Sequence, residues 1–158
     1  MLSSPQTLRQ CAFDYFSANA FRIPLRRYAA DNNLSLKEAR HHFLAVGQFL
    51  AAAAMSDKPI APSKEIDQPW HAFILATRQY ESYCKENFGR FIHHAPSMPG
   101  ATETFAYQEG YQIACTLFGS ENLDPKFWPA PSCKGSDCDG GSSCGANCGV
   151  ACSTCQGT

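Results

Sequence analysis

Four residues, Ser35-Leu36-Lys37-Glu38, constrain the chain more than any others. They have the form of a capping box: the Ser35 hydroxyl accepts from a backbone N–H three residues on, and Glu38 reaches back to the start. Apolar residues then recur at helical spacing. Leu36, Ala39, Phe43, Val46, Leu50 and Ala54 share one face, which predicts a helix to about Met55. Up to about residue 128, turn signals separate similar segments and no β-branched alternating run appears. The chain therefore reads as all-α, a single compact bundle of five or six helices. A first helix is expected over Gln6 to Asn19. A second is started by Pro24 and ended by the Asn32-Asn33 pair. A last long one covers about Thr102 to Gly119.

A further helix is expected after a proline-containing loop from Ser56 to Ile66. Asp67 is a natural N-cap, and Pro69 suits a first turn, where its missing N–H has no helical partner. Trp70, Phe73, Ile74, Thr77, Tyr80, Cys84 and Phe88 then make one apolar stripe up to Gly89. Trp70 should anchor the core. Cys11, Cys84 and Cys115 fall on expected helices, where cysteine is commonly a small buried apolar residue.

The end of the chain is different. Residues 129–158 read as a Pro-bounded, Gly/Ser/Cys-rich tail with almost nothing apolar to bury, and disorder is the expectation there. Six of the nine cysteines lie in it, at Cys133, Cys138, Cys144, Cys148, Cys152 and Cys155. The organisation expected is thus a helical domain over 1–128 and a flexible tail. The "CGVACSTC" stretch has the Cys-x3-Cys-x2-Cys spacing of radical S-adenosylmethionine enzymes, but too few residues follow it for the barrel those enzymes need. Thirteen Lys and Arg against fourteen Asp and Glu leave a formal charge of −1. That balance argues against nucleic acid or an anionic membrane as a general partner. The first residues make a poor secretory signal, which places the thiols in a reducing cytoplasm, where disulfides rarely persist.

The segment "EIDQPWHAFILATRQYESYCKENFGRFIHHAP" resembles the bacterial glycine-rich domain-containing protein-like family. An acidic residue precedes Trp-His, an aromatic and a Cys follow, and the segment closes on Gly-x-Phe-Ile-His-His-x-Pro. The likeness covers roughly residues 20–100. It implies a compact helical domain and no established reaction.

Two ligand sets follow from the residue types. Thiolates in the tail suit zinc, copper(I) or an iron–sulfur centre. Asp67 and His71 are four apart, so they share a helix face. With one of His93 and His94 they would make a two-histidine, one-carboxylate set for zinc or ferrous iron. The competing structural reading is that Asp67 only caps and His71 only bonds the turn at 93–94. His41 and His42 are expected on the exposed side and flank of their helix. The preferred function is a non-enzymatic, metal-associated module: the tail captures or delivers a soft metal, and the helical domain docks another protein. The rivals are a metal-dependent enzyme or accessory using Asp67, His71 and His93 or His94, a tail modified by another enzyme, and a structural interaction domain.

Overall fold

A computed structural model describes residues 5–95 and 103–131. The six tail cysteines lie outside the described residues. Among those residues the fold is all-helical, with α1 (Pro5–Ser17), α2 (Arg22–Asp31), α3 (Leu36–Met55), α4 (Lys64–Leu75), α5 (Thr77–Phe88) and α6 (Glu103–Phe118), and short 3-10 turns at Asn19–Phe21 and Ser120–Asn122. No helix among them is long and apolar enough to cross a membrane.

The capping box forms as written in the residues: Glu38 N–H donates to Ser35 Oγ at 3.2 Å, and Ser35 N–H to Glu38 Oε2 at 2.8 Å. The helix it starts, α3, is the axis of the bundle and packs against α1, α2, α4 and α6. Ala39, Phe43, Val46 and Leu50 of the expected stripe are buried, whereas Leu36, at the exposed first turn, is 42% accessible. Gly47 explains how closely α1 approaches. A Cβ there would lie 3.0 Å from Ala12 Cβ and from Tyr83 Oη. The centre is aromatic: Phe16, Phe21, Phe43 and Phe73 lie with ring centroids 4.8–6.1 Å apart, mostly edge-to-face. That geometry sets positive ring edges against negative faces. Phe127 and Trp128 are also buried, so the chain past α6 returns to the core. Cys84 and Cys115 are buried and Cys11 is half-buried.

Two expectations about the Asp67 helix are corrected. First, Ser63, not Asp67, is the N-cap of α4. Its hydroxyl accepts from the Ile66 N–H at 3.2 Å. The Asp67 N–H is already within the helical ladder, donating to the Ser63 carbonyl at 2.9 Å, so Asp67 has no capping role to play. Pro69 accordingly sits one turn further in than a first-turn proline. Its ring is buried, and the helix runs on past it to Leu75. Second, the expected single helix is two. Ala76, at φ −82° and ψ 61°, breaks the ladder between α4 and α5. Thr77 therefore leaves the apolar stripe and is exposed, while Tyr80 swings back toward Trp70. At the end of α5, Gly89 takes the left-handed conformation (φ 68°) that ends the helix. It turns the chain into the irregular segment 91–95.

Candidate metal centre

The site is assembled by the joint between α4, α5 and segment 91–95. Trp70 is its floor: the ring is 4% exposed and packs on Phe49 at 4.8 Å. Its indole N–H donates to Tyr80 Oη at 3.1 Å, and Tyr80 Oη donates in turn to the Ile92 carbonyl at 2.5 Å. This chain of buried hydrogen bonds fixes segment 91–95 two residues before His94. Burial raises the Tyr80 phenol well above its ordinary value, so it keeps the proton it donates. Cys84 lies beneath the same segment. Burial pushes its thiol up, and the neighbouring Ile92 backbone N–H pulls the other way. The net rise makes Cys84 a poor thiolate.

With Ile92 fixed, the two adjacent histidines are placed differently: His93 is exposed and His94 half-buried. His94 turns inward. Its ring lies 4.5 Å from Trp70 and 4.5 Å from His71. His94 Nε2 is 3.0 Å from Asp67 Oδ1, and His71 Nδ1 is 3.4 Å from Asp67 Oδ2. Asp67, released from capping, thus bridges two imidazoles. One ligand atom from each of Asp67, His71 and His94 lies within 4.8 Å of the others. His93 is exposed, packs against Phe91, and stands outside this cluster. The partners of His71 are Asp67, one turn back on α4, and His94.

The chemistry of the three donors suits a first-row ion. Two neutral imidazoles and a carboxylate are borderline-to-hard ligands, as zinc and ferrous iron take. Tetrahedral zinc with bonds of about 2.0–2.1 Å needs donor atoms about 3.3 Å apart; His94 and His71 approach different oxygens of the Asp67 carboxylate, at 3.0 and 3.4 Å, and one ligand atom of each residue falls within 4.8 Å of the others. Burial is graded: the His94 side chain is 18% exposed, Asp67 36% and His71 54%. One side of the cluster is therefore open to a groove that runs past Ile60 and Ser63 toward Ala106.

The other histidine doublet is placed differently. His41 Nε2 bonds Asp124 Oδ2 at 2.7 Å, and that hydrogen bond, with the Lys126 N–H, holds the Asp124 carboxyl below its usual range. His42 Nδ1 is 3.0 Å from Tyr28 Oη. Burial lowers the His42 pKa, with Lys126 and His41 adding to the effect. Burial also pushes the Tyr28 phenol up to about 12. The phenol is thus the donor and His42 the neutral acceptor. Sequence reasoning missed Ser63, Tyr80 and Ile92 as supports of the site. Ser63 was detectable in principle: a hydroxyl residue directly after a proline and three before an apolar one is an N-cap signal.

Among the described residues the molecule is thus a helical bundle with a two-histidine, one-carboxylate cluster at a helix joint. The chain belongs to the UCP032817-like family, which it matches over residues 8–128. No curated protein and no solved structure matches it.

Proposed function

We propose that this helical domain is a metal-binding module, with Asp67, His71 and His94 as protein ligands to a divalent first-row ion such as zinc or ferrous iron. The observation that carries the reading is the convergence of three ligand atoms within 4.8 Å, from α4 and from a segment held by its own buried hydrogen bonds. Binding would displace the imidazole proton that His94 shares with Asp67, so the ion takes the place of a hydrogen bond. Three protein ligands with an open side leave room for an exogenous group, the arrangement of exchangeable and catalytic ions rather than of closed structural ones. The family match supports membership and names no reaction.

A second reading has an observation of its own. The His94–Asp67 hydrogen bond and the Trp70–Tyr80–Ile92 chain already lock segment 91–95 onto α4 without an ion. Zinc titration of the full-length chain, with the six tail cysteines replaced by Ser, separates the two. The metal module binds one equivalent and loses it on His71→Gln with the circular dichroism unchanged. A chain that binds no zinc, and in which His71→Gln alters only the melting temperature, is a latch.

A further inference from the structure

We propose that the groove beside Asp67, His71 and His94 binds a small organic carboxylate. One carboxyl oxygen takes the open position on the ion, and the apolar body of the ligand lies against Phe91. The proposal rests on the metal reading above and adds the chemical class of the exogenous ligand. A carboxylate oxygen is an ordinary donor to zinc and to ferrous iron. It displaces water from the ion, with no change of oxidation state.

Charge decides the sign of the ligand. Lys58, Lys64 and Arg90 line the groove against the carboxylates of Asp57 and Asp67. The cations already outnumber the carboxylates, and a divalent ion on Asp67 tips the balance further. All three cations are exposed, and among the described residues none of them is in an ion pair. Arg90 is also held in place. Its Nη2 donates to the carbonyls of Ala54 at 3.0 Å and Ala53 at 3.3 Å, which fastens the guanidinium where α3 ends. A concave surface of one sign concentrates the opposite charge, so the loaded groove favours an anion.

The lining decides that the anion is organic. The groove encloses about 930 Å³, the size of a small-molecule site. Phe91 lines it and is 44% exposed, yet the ring is not loose. It meets the buried Tyr80 ring edge-to-face at 5.1 Å and the His93 ring at 4.8 Å. Ile60 adds a second apolar side chain to the same groove. A fixed aromatic ring left open three residues before His94 offers apolar area to a ligand seated on the ion. Inorganic phosphate or acetate would use the charges and leave that area wet. A carboxylate with an aromatic or aliphatic body uses both.

The probes are phenylacetate, acetate and phenylethanol. Each is titrated into the full-length chain with the six tail cysteines replaced by Ser and one equivalent of cobalt(II) bound, and the ligand-field spectrum reads any change of ligand. Phenylacetate should shift the spectrum saturably and bind at least about tenfold more tightly than acetate, through the apolar area its ring buries. Phenylethanol, which lacks the charge, should leave the spectrum unmoved. Phe91→Ala should keep its cobalt and bring phenylacetate down to the affinity of acetate. Lys58→Gln with Lys64→Gln should weaken both carboxylates and flatten the salt dependence of their binding, with the melting temperature unchanged. A chain that holds one cobalt but whose spectrum phenylacetate does not move, or moves no more readily than acetate does, would overturn the inference and leave the metal reading standing. Undiminished phenylacetate affinity in Phe91→Ala would overturn it in the same way. A chain that takes up no cobalt would overturn the metal reading and this inference with it.

Discussion

The two histidine doublets, His41–His42 and His93–His94, make opposite use of the same dipeptide. On α3 the pair is splayed by the helical twist. Each ring finds one partner from a different element, Asp124 for His41 and Tyr28 for His42. On the irregular segment after Gly89, one ring is exposed and the other half-buried, and the half-buried ring joins a second histidine and a shared carboxylate. The first doublet ties the fold together by pairwise contacts. The second makes three lone pairs converge. Local backbone conformation, not residue type, separates a structural histidine from a candidate ligand.

The largest perturbation should come from removing the floor of the second doublet. Trp70→Ala deletes a buried ring beneath His94 and removes the N–H that donates to the Tyr80 hydroxyl, and should cost about 3–5 kcal/mol in urea unfolding. A loss near zero would mean that His94 is not seated on Trp70. Next comes a direct contrast of carboxylates. Asp67→Asn should weaken zinc binding by at least about 100-fold, the upper end of what even an outer partner's loss costs, whereas Asp124→Asn should leave it unchanged. Calorimetric titration of the two variants decides the matter, and equal effects would erase the distinction between the doublets.

Ser63→Ala attacks the helix that carries Asp67. It removes an N-cap, worth about 1 kcal/mol, and leaves the Phe127 carbonyl without its donor, about 1 kcal/mol or more. A chemical-denaturation loss of about 2 kcal/mol is expected, with weakened zinc binding as a secondary effect. The smallest effect belongs to the first doublet. His42 has a folded pKa below its unfolded value of about 6.5. The unfolded chain therefore takes up the proton more readily. The contribution of His42 to stability is present above about pH 6.5 and is lost as pH falls through the folded pKa. Urea midpoints measured on either side of that window should show the loss, and His42→Gln should reduce the slope.

Much of this was legible where local signals act alone. The Ser35–Glu38 box, the stop at Gly89 and the buried Phe43, Val46 and Leu50 follow from capping chemistry and periodicity. The start of α4 was not, because Asp67 imitates an N-cap. Ser63 wins because its hydroxyl also meets Phe127, a contact sixty-four residues away in sequence. The break at Ala76 carries neither Gly nor Pro. Beyond it, Tyr80 reaches both Trp70 and Ile92, tertiary contacts that no local pattern encodes. Asp67 and His71 could be paired from their spacing. The choice of His94 over His93 depended on which way Ile92 was held.

The double duty of Ser63 has a consequence for how the molecule opens. One hydroxyl accepts from the first turn of α4 and donates to the return segment at Phe127. Neither end can fray without stripping the other of a bond, so the two form one cooperative unit. In native-state hydrogen exchange, the Ile66 amide should lose its protection together with the amides of Phe127 and Trp128, which donate to the Asp124 carbonyl. A pull on the chain at Pro131 would then pass from Tyr107, which donates to the Pro129 carbonyl, to the helix that presents Asp67.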